Sequence, residues 1–361
     1  MKQRTKTILK TLLCVFLGLN FCGCSKEEPS LKKEFAITNF RNKLFQLSFV
    51  DDRNGWVSGD HGLILHTEDG GKTWKKEESG TNKSLRAVSF CDPNTGWIAG
   101  GGGTIIHTEN GGKSWIVQRT GVTEDLLTIK FIDCKRGFAA GVFATLLLTD
   151  DGGRTWKKSS AFLGKEETII PENLNLDEKM RLLKEEFCGT EDEESLVPLN
   201  PLINDIFFVD SKNGWAVGET GFIWRTEDGG RNWAKQESGQ TEDLFSCYFK
   251  DNQEGWATGL NGILLHTEDG GLTWKPQESH TKESIFGIAV YGSYGYGVGN
   301  AATMIKSTDG GKTWKKFMPE RIEIYSWFRD IVSIKGKFIA IGGMGTILVS
   351  EDNGQSWRKI S

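Results

Sequence analysis

The chain has 361 residues and a formal net charge of −4, with 45 Gly, 13 Trp and only 7 Pro. Gly at this level without a Gly-X-Y period excludes collagen, and so little Pro argues against a Pro-rich disordered chain. No basic excess is present to neutralise phosphates, which argues against nucleic acid as a partner. Abundant Gly beside abundant Trp points to many tight turns, each anchored by a large side chain, and so to an all-β fold.

Residues 1–23 begin with four basic residues (Lys2, Arg4, Lys6, Lys10) and continue in an apolar run from Thr11 to Phe21. The run is short of the about 20 residues that a membrane helix needs and reads as a signal peptide. At its end, Phe21-Cys22-Gly23-Cys24 resembles a bacterial lipobox with Cys24 as the lipidated residue, although Phe21 stands where Leu is usual. Cys24-Ser25-Lys26-Glu27-Glu28 resembles the surface-export signal of some Gram-negative lipoproteins. The expected organisation is a signal at 1–23, a tether at 24–40 and a folded body at 41–361. The mature chain would carry a net charge of −8. It would be exported and lipid-anchored, at the periplasmic side of the outer membrane or at the cell surface. Export implies an oxidising compartment. Cys91, Cys134, Cys188 and Cys247 show no CxxC spacing, so no zinc site is expected. Whether any two of the four pair is left open; Cys247, in an apolar strand, reads as a small core residue.

One box recurs seven times from residue 67 onward, first as Thr67-Glu-Asp69-Gly-Gly71-Lys-Thr73-Trp74. Its third position is Asp69, Asn110, Asp151, Asp228, Asp269, Asp309 and Asp352, and its last is Trp74, Trp115, Trp156, Trp233, Trp274, Trp314 and Trp357. The Trp-to-Trp intervals are 41, 41, 77, 41, 40 and 43. A period near 41 marks a repeat architecture. Each period opens with an alternating apolar run such as Leu44–Phe49. Eighteen residues before every box Trp stands Trp56, Trp97, Phe138, Trp215, Trp256 or Tyr296, with Ile339 in the last repeat. A Gly-bounded turn, a third strand, the box and a fourth strand follow. Four short strands repeated seven times predict a seven-bladed β-propeller. In the box, Asp can accept from backbone N–H groups of the turn, the fifth-position Gly permits positive φ, the Thr or Ser hydroxyl closes the turn, and Trp buries on the blade. Seven equivalent copies argue for structure over catalysis.

Two other readings of the box fail. Gly71-Lys72-Thr73 lacks the earlier Gly of a phosphate loop, and Asp69-Gly70 lacks the alternating acids and closing Glu of a calcium loop. His66, His107 and His266 share one strand position in different blades. They are therefore expected to be surface residues too far apart to ligate one metal. Lysines on the fourth strands (Lys75-Lys76, Lys157-Lys158, Lys315-Lys316, Arg358-Lys359) suit outer edges that discourage strand addition.

The long interval marks an insertion at about 161–200 between blades 3 and 4. Asn175 and Glu178 form a capping box there, and Leu176, Met180, Leu183 and Phe187 give one helical stripe. The segment from Leu163 to Leu196 has 11 acidic and 4 basic residues, which suits either a solvated rim helix or an acidic docking arm. At the start of the first strands, the slot that is apolar in Phe45, Leu127, Phe245 and Phe286 becomes Arg86, Asn204 and Arg329 elsewhere, with Asp205 and Asp330 following. These residues are either a partner-binding group at the funnel mouth or inter-blade ion pairs.

The box resembles that of sialidases, sortilin and xyloglucan-cleaving tandem propellers. The fuller period, Gly-Trp-x-x-Gly through the box Trp, is similar to the photosystem II stability/assembly factor family across about 41–361. That resemblance implies a non-enzymatic, membrane-tethered propeller, without cofactor or metal, that binds a membrane-associated protein partner during assembly. It carries functional arginines on one face, which here fall on Arg86, Arg329 and Arg321. Two alternatives stand beside it. A sialidase would need three arginines, a tyrosine nucleophile and an early Phe-Arg-Ile-Pro motif, and the nearest string here is Pro319-Glu-Arg-Ile-Glu323. Xyloglucan enzymes use a cleft between two propellers, whereas this chain has one. A surface adhesin or glycan-binding lipoprotein is the other.

Overall fold

A computed structural model describes residues 41–162, 201–320 and 322–360. The signal, Cys24, the tether, Arg321, Cys188 and the helix expected at 175–187 lie outside the described residues. Seven four-stranded antiparallel sheets follow one another, and in each the strand order is the chain order. Their first strands are Leu44–Phe49, Leu85–Phe90, Leu126–Phe131, Ile203–Phe208, Leu244–Phe249, Ile285–Tyr291 and Phe328–Ile334. Each first strand touches the first strand of the next blade, and the last touches the first, so these strands line the centre of a closed ring. This is the seven-bladed propeller that the period predicts.

The core lies between blades. Trp56, Trp97, Trp215 and Trp256, on the second strands, are fully buried. Each reaches forward and donates its indole N–H to a box glycine carbonyl of the following blade: Gly111 at 3.1 Å, Gly152 at 3.0 Å, Gly270 at 3.0 Å and Gly311 at 3.1 Å. The Tyr296 hydroxyl does the same to Gly354 at 2.7 Å. Ile339 has no donor, and Lys337 Nζ supplies the missing bond to Gly70 at 2.8 Å. A buried ring with a satisfied polar handle gives both apolar burial and register, so six of the second strands are stapled to the next box, while Phe138 of blade 3 meets its neighbour through ring contacts with Phe208 and Trp233.

Among the described residues no strand is exchanged to close the ring; blade 1 and blade 7 are each built from contiguous sequence. Closure rests on an apolar cluster in which Leu44, Leu47, Val57 and Leu65 meet Ile339, Ile341, Ile347 and Val349. The Gly345 N–H donates to Asn42 O at 2.8 Å, and the Leu47 N–H to Asp330 Oδ2 at 2.8 Å. Lys335 Nζ lies 3.3 Å from Asp52 Oδ2.

The boxes form as their chemistry requires. Asp69 Oδ1 accepts from the Lys72 N–H at 3.0 Å and the Thr73 N–H at 2.9 Å, and Oδ2 accepts from the Thr73 hydroxyl at 2.6 Å. Thr67 Oγ1 accepts from the Gly71 N–H at 2.9 Å, where φ is 86°. The variants keep the network: Asn110 Nδ2 donates to Ser114 Oγ at 2.8 Å, and Asn232 Nδ2 to Asp228 Oδ2 at 2.7 Å. Trp74, Trp233, Trp274 and Trp314 are buried, while Trp115, Trp156 and Trp357 are half-buried.

Three expectations are revised or completed. His66, His107 and His266 are not surface residues. They stack on Trp56, Trp97 and Trp256 with ring centroids 4.6, 4.8 and 4.9 Å apart, and burial pushes their pKa values down. The third strand runs between the second and the fourth, so its side chains are covered on both flanks. Cys91 and Cys134 form a disulfide that joins the turns after the first strands of blades 2 and 3, while Cys247 is a buried free thiol. Ala161 and Phe162, placed in the insertion by the sequence, belong to the body: Phe162 packs against Phe222, Trp224 and Trp233.

Candidate functional site

Every first strand carries the same irregularity two residues into its course. Register shifts fall between Leu44 and Gln46, Leu85 and Ala87, Leu126 and Thr128, Ile203 and Asp205, Leu244 and Ser246, Ile285 and Gly287, and Phe328 and Asp330. The skipped residues are Phe45, Arg86, Leu127, Asn204, Phe245, Phe286 and Arg329, the variable slot that the sequence singles out. A β-bulge leaves one residue out of the ladder and re-aims its side chain. The bulge is possible because the second strand ends in Gly: a Cβ on Gly100 would collide with the Ser84 carbonyl.

Bulge side chains from neighbouring blades touch around the inner rim. The Arg86 guanidinium lies 4.8 Å from the Phe45 ring centre, Arg329 lies 5.2 Å from that of Phe286, and Phe286 is 5.1 Å from Phe245. The Arg86 Nε is buried and has no hydrogen-bond partner among the described residues, and neither guanidinium is held there in an ion pair. Blades 7 and 2, which carry the two arginines, flank blade 1 and its Phe45. The rim is thus cationic across blades 7, 1 and 2, and apolar at Leu127, Phe245 and Phe286.

No hydrogen bond or ion pair within 4 Å joins Asp205 or Asp330 to those arginines among the described residues, although both carboxylates act on the Arg329 charge from farther off. A bulge orphans an amide of its own strand, and the preceding blade supplies the acceptor. Asp330 Oδ2 takes the Leu47 N–H, Gln46 Oε1 takes the Val88 N–H at 2.8 Å, and Asp205 Oδ2 takes the Cys247 N–H and the Ser246 hydroxyl, each at 3.2 Å. Asn204 Nδ2 donates to Leu244 O at 2.8 Å. These four side chains therefore hold blades together, and the expected inter-blade ion pairs are replaced by backbone caps. Burial pushes the Asp330 carboxyl up to about 7, with the like charge of Asp205 adding to the shift and the Leu47 N–H opposing it. Burial also raises Asp205, against the pull of the Cys247 N–H and Lys130.

Lys130 is the residue that the sequence reading missed. It sits three residues after a bulge position, where the other blades have Ser48, Ser89, Phe207, Tyr248, Ala289 and Val332. Its ammonium lies 5.6 Å from the Phe207 ring centre and is lowered by burial, with Asp205 and Asp330 acting in the opposite direction. Alignment of the seven first strands would have exposed it as the one cation in that slot.

This end of the ring also carries the turns between second and third strands and the connections between blades, and the boxes lie at the other end. Antiparallel order requires this division, and the Gly62 N–H bonding to Lys83 O at 2.8 Å shows turn and connection side by side.

Three stretches, 30–120, 189–284 and 274–361, match the family described as Photosynthesis system II assembly factor YCF48. The chain belongs to this family. A "Photosystem II assembly lipoprotein Ycf48" of Prochlorococcus marinus (strain NATL2A) is 30% identical over 80 residues, covering 21% of this chain and 24% of the relative. The chain spans about a quarter of the length of the curated relatives it matches. Among solved structures, "YCF48 bound to D1 peptide" superposes with a TM-score of 0.65 at 20% identity, covering 86% of this chain and 93% of that one. A xyloglucanase of family GH74 from Xanthomonas campestris superposes with a TM-score of 0.67 at 12% identity, covering 90% of this chain and 55% of the enzyme. At these identities the structural likeness establishes the propeller fold, and family membership rests on the sequence match. Among the described residues no helix is long and apolar enough to cross a membrane.

Proposed function

We propose that this YCF48-family chain is a non-catalytic, membrane-tethered propeller that binds a segment of a membrane-associated protein partner at the bulge end of its channel. Arg86 and Arg329 hold a carboxylate of the partner, and Leu127, Phe245 and Phe286 take its apolar side chains. The observation that carries this reading is the pair of arginines that the bulges set on the rim beside Phe45, with no hydrogen bond or ion pair to another described residue that would make their role structural. Guanidinium groups in this condition are suited to bidentate carboxylate binding. The solved relative described as bound to D1 peptide supports a peptide-binding role for the fold in this family. Tethering is assigned to lipid on Cys24, in keeping with the relatives named lipoproteins.

Crosslinked capture from the host's own membranes tests the reading. The full chain is expected to retrieve a protein partner, and the Arg86→Ala, Arg329→Ala double variant to lose it while remaining folded. Undiminished capture by the double variant would overturn the assignment. Turnover of sialosides or xyloglucan by the purified chain would instead favour a glycosidase.

A further inference from the structure

The fourth strands form the outer edges of the blades, and one edge differs from the rest. Two residues after each box Trp stand Lys76, Val117, Lys158, Lys235, Pro276, Lys316 and Lys359. Backbone geometry makes this position decisive. Three residues after the Trp, the N–H of Ser159, Gln277 and Ile360 donates inward to Leu146 O at 2.8 Å, Leu264 O at 2.8 Å and Ile347 O at 2.9 Å. Inward and outward bonding alternate along an antiparallel strand, so the residue before it turns its N–H and C=O away from the blade. Five blades guard that outward amide with Lys, and blade 5 removes it with Pro. Both devices block strand addition.

Blade 2 has neither. Its fourth strand, Ile116–Gln118, presents Ile116 at 71% and Val117 at 66% exposure. The edge is also held in place: Gln118 Nε2 donates to Gly152 O at 3.2 Å, and Gln118 Oε1 accepts from the Trp156 indole at 3.0 Å. Exposed Lys113 and Arg119 flank it. Antiparallel pairing of two copies about Val117 would set Arg119 of one edge opposite Trp115 of the other, two positions from that copy's Lys113, so the gathered cations disfavour self-association and favour an acidic strand.

We propose that the outer edge of blade 2 is a strand-addition site for an extended segment of a partner protein, β-branched at its centre and acidic at its flanks. The segment pairs with the Val117 N–H and C=O, packs on Ile116 and Val117, and places its carboxylates near Lys113 and Arg119. Strand addition of this kind draws affinity from main-chain bonds and specificity from alternate side chains.

The test is fluorescence anisotropy with the full-length chain and a labelled peptide, Glu-Thr-Val-Thr-Val-Glu. The peptide is expected to bind. Val117→Lys and Val117→Pro are each expected to weaken it by about tenfold or more, as are N-methylation of its alternate amides and exchange of its Glu for Lys. The Lys variant recreates the residue of five other blades, and an unchanged melting temperature would separate lost binding from lost fold. Absence of binding to the parent chain, or equal binding to both Val117 variants, would overturn the proposal. So would a concentration-dependent dimer of the parent chain that Val117→Lys abolishes, because the edge would then belong to a second copy.

Discussion

The two ends of the ring use aspartate in opposite ways. At the box end, the Asp151 carboxylate is pulled down to about 2, chiefly by the Thr155 hydroxyl and, against some desolvation, by the Thr155 N–H and Thr149 hydroxyl. At the bulge end, burial pushes Asp330 up to about 7. The first kind is repeated in six boxes, with Asn110 in the seventh, and closes a turn within its own blade. The second occurs only where Asp follows a bulge, in blades 4 and 7, and reaches across to the next blade. Repetition thus marks the parts that fold each blade, and departures from repetition mark the parts that are particular to this chain. The arginines of the rim are such a departure, as is the bare edge of blade 2.

Substitutions can break this division, and the largest effects are expected on the repeated parts. Trp215 is fully buried, stacks on Phe249 at 3.4 Å and bonds to Gly270 O of the next blade. Trp215→Ala should cost about 3–5 kcal/mol in urea unfolding, and a loss below about 1 kcal/mol would deny the staple its role. The disulfide between blades 2 and 3 closes a chain separation of 43 residues. Replacing Cys91 and Cys134 with Ser should cost about 2–4 kcal/mol and leave partner capture intact.

The two kinds of aspartate also respond to pH with opposite signs. Folded Asp330 keeps its proton until about 7, whereas the ordinary carboxyl loses it near 3.8. Between those values the folded chain binds more protons than the unfolded one, so this group makes stability fall as pH rises. Asp330→Asn should flatten that decline and still cap Leu47 through its amide oxygen. Asp151, Asp269 and Asp309, each held near 2 against 3.8, act with the opposite sign. Their stabilisation is present above 3.8 and is lost as pH falls through 2. Asp309→Asn, which copies Asn110, should therefore shrink the acid limb alone. Urea midpoints across pH 2–8 check both signs. The smallest stability effect belongs to the rim: Arg86→Ala or Arg329→Ala forfeits one cation–π contact, about 1 kcal/mol, although partner capture should collapse.

Much of the propeller was legible because its rules are local and repeated. The period, the box hydrogen bonds and the forward-facing aromatic slot each recur, so a single pattern predicts seven instances. The bulge slot was legible as well, since Arg86, Asn204 and Arg329 interrupt an apolar column. What Asp205 and Asp330 do was not. An orphaned amide on the next blade is a product of the bulge, and no residue type announces it. Carboxylates beside arginines therefore read as ion pairs. The covering of His66, His107 and His266, half-buried in the first two and buried in the third, was hidden for a related reason: two-residue alternation gives the face of a strand but not the strands that cover it. Cys91 and Cys134 meet because they occupy equivalent turns of adjacent blades, a relation visible only once the blades are superposed.

Site-specific photocrosslinking tests most directly which end of the ring meets the partner. A photoreactive residue at Leu127, on the rim of the bulge end, should form an adduct with the partner in native membranes. The same residue at Leu272, 68% exposed in the box of blade 5, should not. Adducts from Leu272 and none from Leu127 would contradict the account, because binding would then lie on the repeated end.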